Sequence, residues 1–241
     1  MKHRIALALA TATLLVAGVT QAHQAQDPAK ASAKPAPAAQ EKAPAAAPAA
    51  GDAAVIDAQL PSYPLKTCAC CGAELGDKAV NTVVEGRLVR VCAQECVATA
   101  KSKSADAFAK IDAAVIADQK PTYPLKTCVM KGEDLGDDPQ DVVVGTKLVR
   151  VCCKRCAGAV KKDSTEAMAK VDAAWIEAGK KTYKLDTCPI SGEKLGSMGD
   201  PVDYLYGTHL VRLCCKSCAK KMRTEGPSVV AKVNELSGAK K

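Results

Sequence analysis

Apolar residues follow two different spacings along this chain of 241 residues, and the spacings alternate. Phe108, Ile111 and Val115 recur at helical intervals, and Met168, Val171 and Trp175 repeat the pattern 60 residues later. Short strand-like runs lie between the helical stretches. Residues 141–144 and 147–151 alternate or run apolar about Gly145-Thr146, and 202–206 and 209–213 do so about Gly207-Thr208. Each pair predicts a β-hairpin. Asp163 with Glu166 three residues on predicts a capping box for the second helix of the middle segment. Trp175 reads as a core residue.

The alternation comes from three copies of one unit. Asp52-Ala53-Ala54-Val55-Ile56 returns as Asp112-Ala113-Ala114-Val115-Ile116 and as Asp172-Ala173-Ala174-Trp175-Ile176, a period of 60. Tyr63-Pro64-Leu65-Lys66-Thr67-Cys68 is matched by Tyr123-Pro124-Leu125-Lys126-Thr127-Cys128 and Tyr183-Lys184-Leu185-Asp186-Thr187-Cys188. Leu88-Val89-Arg90-Val91-Cys92 returns as Leu148-Val149-Arg150-Val151-Cys152 and, after a two-residue insertion, as Leu210-Val211-Arg212-Leu213-Cys214. Each unit runs from a Cys-containing turn (68–72, 128–132, 188–192) through a hairpin to a helix opening at the second cysteine cluster. A further helix then leads into the next turn. The predicted class is α+β: three small units over 52–111, 112–171 and 172–241, joined by helices as an array.

The segment before the repeats predicts an address rather than a fold. Met1-Lys2-His3-Arg4 is positive, residues 5–19 are apolar, and Thr20-Gln21-Ala22 offers small residues where a signal peptidase reads. This predicts cleavage after Ala22 and an exported protein, periplasmic or extracellular. Fifteen apolar residues fall short of the roughly 20 that a spanning helix needs. Stable membrane insertion is therefore not expected. The first cysteine is Cys68, so no lipid-attachment cysteine stands at the cleavage point. Residues 23–51 predict a disordered Ala/Pro tether, because Pro35, Pro37, Pro44 and Pro48 repeatedly interrupt an alanine-rich run.

Composition narrows the function further. Aromatic residues are 3% of the chain, too few for a base-stacking platform. The 48% hydrophobic share leans on alanine, which buries little surface, so a large single core is not expected. A net charge of +8 is spread over 25% charged residues of both signs, without a run of five basic ones. Together with export, this argues against nucleic acid as a partner. The three histidines are His3, His23 and His209, and no Ser-His-Asp or paired-carboxylate constellation can be assembled from the sequence. An enzyme is not expected.

The chemistry lies in the thirteen cysteines. Unit one reads Cys68-x2-Cys71-x20-Cys92-x3-Cys96, two ligands from a turn and two from a helix start, a spacing that suits a tetrahedral metal. Cys92 and Cys96, four apart, would share a helix face, and the helix N-terminus would favour thiolate. Units two and three have Lys131 and Ser191 in place of Cys71. Each gains an adjacent cysteine instead, giving Cys128 with Cys152, Cys153 and Cys156, and Cys188 with Cys214, Cys215 and Cys218. On a helix, adjacent cysteines would point about 100° apart, so four need not converge. Four thiolates suit Zn2+ and three suit Cu+. Met130 and His209 are candidates for a fourth ligand, although a turn residue and an exposed strand position are the simpler readings. Arg90, Arg150 and Arg212 precede each cluster, where they either offset thiolate charge or serve as solvated strand residues.

The arrangement resembles the treble-clef domains called TRASH and MYM-type fingers, and the neighbouring YHS domains. Unit one matches at Cys68, Cys71, Cys92 and Cys96, unit two at Cys128, Cys152 and Cys156, and unit three at Cys188, Cys214 and Cys218. The resemblance covers residues 60–103, 120–163 and 180–225. It implies a zinc-knuckle turn, hairpin and helix, with binding, trafficking or sensing of heavy metals.

Sixty alanine-rich residues bury too little apolar surface to fold comfortably without a staple. A thiolate–metal cluster supplies one, and in an oxidising compartment a disulfide is the rival. The leading expectation is an exported binder of zinc or copper, used for sequestration, trafficking or sensing. Metal ions are its expected partners, and an envelope protein is a further candidate. A structural envelope scaffold of stapled modules is the alternative. A dithiol oxidoreductase using Cys153/Cys156 and Cys215/Cys218 is the weakest reading, because the βαβ setting of such motifs is missing.

Overall fold

The computed structural model describes residues 50–237. The expected signal sequence lies outside them, as does the tether up to residue 49. Ala50 and Gly51, the last residues of the predicted tether, instead open helix α1 (Ala50–Gln59).

The described residues form a mixed α+β structure of three antiparallel hairpins alternating with helices. After α1, unit one continues with β1 (Val80–Val84), β2 (Arg87–Val91), α2 (Glu95–Ser102) and α3 (Ser104–Gln119). Unit two has β3 (Gln140–Val144), β4 (Lys147–Val151), α4 (Lys154–Lys162) and α5 (Thr165–Thr182). Unit three has β5 (Val202–Tyr206), β6 (His209–Leu213) and α6 (Lys216–Ser237). The three registers are equivalent: Asn81 faces Arg90, Asp141 faces Arg150 and Asp203 faces Arg212. The capping box is only half realised. Asp163 Oδ1 accepts the Thr165 N–H at 2.9 Å, but Glu166 pairs with Lys170 at 2.7 Å.

Each hairpin gives one face to a small core and closes it with a helix. In unit one Val84, Val89 and Val91 pack with Ala107, Ile111 and Val115 of α3. In unit two Val142, Val149 and Val151 meet Ala167, Val171 and Trp175 of α5. Trp175 stands edge-on to Tyr123, ring centroids 6.4 Å apart, as a core residue would. In unit three Val211 and Leu213 meet Met222, Val229 and Val233, all from the single helix α6. At Gly226 in that helix the Tyr206 ring comes so close that a β-carbon would lie 2.0 Å from it.

The units share their cores. Leu148, in the hairpin of unit two, is buried in the core of unit one, and Leu205 of unit three packs on that of unit two. The first helix also touches the last unit, through an Asp57–Arg223 ion pair of 2.9 Å. Small cores are thereby merged into larger ones, which offsets the shortage of apolar surface per unit. No helix among the described residues is long and apolar enough to cross a membrane.

Candidate metal centres

Each centre is assembled from a knuckle turn, the exit of the second strand and the first turn of the following helix. The knuckle is closed by its own backbone. Cys68 N–H donates to Ala73 O at 2.6 Å and Gly72 N–H to Cys68 O at 3.0 Å. Cys128 and Cys188 donate likewise to Glu133 O at 2.6 Å and Glu193 O at 2.7 Å. The turn requires a left-handed residue, and Gly72, Gly132 and Gly192 supply it with φ of 79°, 74° and 78°. On the outer side, Lys110 Nζ donates to the carbonyls of Ala69 (3.0 Å) and Cys70 (2.9 Å), and Lys232 Nζ to that of Pro189 (3.1 Å).

The knuckle is pinned to the strand by a tyrosine five residues before its cysteine. Tyr63, Tyr123 and Tyr183 each accept, at the phenol oxygen, the backbone N–H of Arg90, Arg150 and Arg212, all at 3.1 Å. The arginine side chains turn away to the facing strand, bonding Asn81 (3.0 Å), Asp141 (2.8 Å) and Asp203 (2.9 Å). They therefore act as cross-strand ties, and the partners they hold are Asn and Asp rather than the thiols.

With its carbonyls outward, the knuckle aims N–H groups at the first sulfur. Burial works against ionisation of Cys68, but the N–H groups of Cys71, Cys92 and Cys70 outweigh it and bring the thiol down from 9.0 to about 6. Cys188 behaves alike: burial is outweighed by the Ser191 hydroxyl and the N–H groups of Cys214, Ser191 and Ile190, and it too falls to about 6. At Cys128 the N–H groups of Cys152, Lys131 and Met130 also prevail over burial and lower the thiol. Met130 thus contributes its backbone amide to the site.

Around each of these sulfurs the partner thiols converge. Cys68, Cys71, Cys92 and Cys96 lie with all four sulfurs within 4.8 Å of one another, as do Cys128, Cys152 and Cys156, and Cys188, Cys214 and Cys218. Individual separations are 3.5 Å for Cys71–Cys92, 3.8 Å for Cys92–Cys96, 3.9 Å for Cys152–Cys156 and 3.8 Å for Cys214–Cys218. A tetrahedron of Zn–S bonds of about 2.3 Å has edges of about 3.8 Å, whereas a disulfide needs about 2.05 Å. The donor set thus fits a thiophilic metal in both chemistry and spacing. Hydrogen bonding with Cys71 and Cys96 is the main cause that pushes Cys92 up to about 12. At Cys156 and Cys218 burial leads, followed by the neighbouring thiols, and both also rise to about 12. One ready thiolate beside protonated thiols is a set that a cation completes by expelling protons.

The helical placement expected for the clusters is corrected in one respect. Cys92, Cys152 and Cys214 follow directly on β2, β4 and β6 and precede the helices, while Cys96, Cys156 and Cys218 occupy the first helical turn. Their pairing comes from the strand-to-helix corner rather than from a shared helix face.

That corner also decides the fate of the extra cysteines. Cys153 is the N-cap of α4 with extended backbone (φ −158°, ψ 164°). Its thiol meets the N–H and the thiol of Cys156, which lower it to about 7. Cys215 meets the N–H of Cys218, which lowers it despite burial, and its sulfur lies 3.8 Å from that of Cys214. Neither Cys153 nor Cys215 belongs to the mutually close sets. His209 is an exposed residue at the far end of β6 from Cys214.

Three contributors escaped sequence reasoning. Cys70 is held beside the first cluster, its thiol 3.6 Å from the Cys96 carbonyl. The tyrosine pins were visible as a residue repeated three times at a fixed distance from cysteine. Lys110 and Lys232 carried no such signal.

No protein-family model, curated protein or solved structure matches this chain.

Proposed function

We propose that this protein is an exported, non-catalytic metal binder that holds zinc or copper at three cysteine centres for sequestration, trafficking or sensing in the cell envelope. The observation that carries the reading is the threefold convergence of thiols within 4.8 Å around a knuckle sulfur already disposed to ionise. Metal binding needs thiolates, and the N–H groups of the knuckle and the strand exit favour the first one in each unit. The spacing likeness to treble-clef fingers and the signal-like N-terminus support the same reading, as does the shortage of apolar surface that a metal would offset. Cys68, Cys71, Cys92 and Cys96 form the first ligand set, Cys128, Cys152 and Cys156 the second, and Cys188, Cys214 and Cys218 the third.

Native mass spectrometry of protein purified from its own compartment without reductant tests the reading. The expected result is a mass gain of about three metal ions per chain, lost on acidification with return of the thiol protons. A metal-free mass short by about two units per bridged pair would instead make the units disulfide-stapled modules of a scaffold.

A further inference from the structure

We infer that the three centres divide into two kinds: a four-thiolate centre in unit one that retains Zn(II), and three-thiolate centres in units two and three that prefer Cu(I). This rests on the metal-binding reading above and adds which ion goes where.

The donor count is the first ground. Four sulfurs converge in unit one and three in each of the others. Zinc in a structural site takes four ligands, whereas Cu(I) is soft and is selected by thiolates without needing a fourth.

The second ground is what stands at the fourth corner. The 60-residue period puts Lys131 and Ser191 where unit one has Cys71. An ammonium has no lone pair to give, and Lys131 Nζ is turned to Glu133 at 3.4 Å. Its charge also repels a divalent ion twice as strongly as a monovalent one at the same distance. Ser191 Oγ lies 3.3 Å from the Cys214 sulfur and accepts the Glu193 N–H at 3.3 Å. It is a hard neutral oxygen engaged with its own loop and with the thiols, a poor fourth ligand for a thiolate-bound ion.

The third ground is the position of the cysteines that would restore the count. Cys153 occupies the N-cap position of α4 and Cys215 the equivalent corner, each outside the convergent set. In unit three Cys188, Cys214 and Cys218 are all buried, so solvent is poorly placed to complete a four-coordinate divalent ion. In unit one, by contrast, Cys71 is exposed and reaches the cluster from the solvent side.

The test uses the reduced, metal-free full chain, equilibrated without oxygen with Zn(II) alone and with Cu(I) alone, each against a competing chelator. Bound metal is counted by native mass spectrometry, and the copper sample is also read by X-ray absorption. About one zinc per chain should survive competition, and Cys71→Ser should abolish it. About three copper ions should be held by that variant, each with three sulfur neighbours, because Cys71→Ser leaves Cys68, Cys92 and Cys96 as a set like that of unit three. Ser191→Cys should raise the retained zinc from about one to about two per chain, a gain that a misfolded variant could not produce. Three zinc ions retained equally by the unaltered chain, or zinc retention indifferent to Cys71→Ser, would overturn the division and leave metal binding standing. Failure to take up either ion would remove both readings.

Discussion

Units one and three share a frame and differ in what it holds. In both, a tyrosine accepts an arginine N–H at 3.1 Å, a left-handed glycine closes the knuckle, and a lysine reaches the knuckle carbonyls. Yet four thiols meet in unit one and three in unit three, with Ser191 against Cys214. The frame is therefore built by contacts that do not involve the ligand count. Ligands can be changed on it without rebuilding the turn, the hairpin or the corner, and this separation is what the following substitutions probe.

The largest effect is expected from ligands on either side of one corner. Cys156 converges with Cys128 and Cys152, while Cys153, three residues earlier, does not. Structural zinc in finger peptides is worth about 10–16 kcal/mol over four ligands, or about 2.5–4 kcal/mol for each. Cys156→Ser should accordingly weaken the second centre by about 100-fold or more. Cys153→Ser should leave its affinity within a few fold. Competitive titration with a chromophoric chelator measures both, and equal losses would return Cys153 to the ligand set.

A second contrast lies at the junctions. Gln119, buried at the end of α3, receives the Leu148 N–H at 2.8 Å and donates to Thr146 O at 2.8 Å. Gln59 makes the same pair of bonds to Leu88 N–H (2.9 Å) and Gly86 O (3.2 Å) from a partly exposed position. At the third junction the residue is Gly179, and Leu210 lies so close that a β-carbon there would be 2.6 Å away. Gln119→Ala leaves two buried backbone groups without partners, at about 1–3 kcal/mol each. Its urea midpoint should fall well below that of Gln59→Ala, whose groups reach water. Matching midpoints would mean that the junctions are interchangeable, as the ligand sets are not.

The period, the hairpins and most of the ligands were legible because they rest on local rules. Alternation about Gly145 and Gly207 marks a hairpin without reference to the rest of the chain. Cysteines at fixed offsets from a repeated Tyr and a repeated strand can be read off by alignment of the units. The corner was not legible. Whether Cys152 belongs to a helix or to a strand exit depends on where β4 stops pairing with β3, a non-local matter, and with it went the placement of Cys153. The buried Gln119 was equally opaque, since its partners come from the next unit, 27 and 29 residues away. The halved capping box has a different, local cause: Glu166 pairs with Lys170, four residues on along its own helix, rather than reaching back to the N-cap.

The smallest effect is the one that should be the same everywhere. Tyr63→Phe, Tyr123→Phe and Tyr183→Phe each remove one acceptor from a partly buried arginine N–H and leave the ring in place. A single such bond contributes about 0.5–1.5 kcal/mol. The phenols are equivalent in partner and distance, so the three variants should lose the same stability in thermal or urea unfolding of the metal-loaded chain. Their metal counts should be unchanged, because the knuckle N–H groups that face the sulfurs remain. A phenylalanine that also emptied its centre would show that the pin positions the thiolate directly. Frame and ligand set would then be one device rather than two, and the contrast between units one and three would have to be explained by the frame after all.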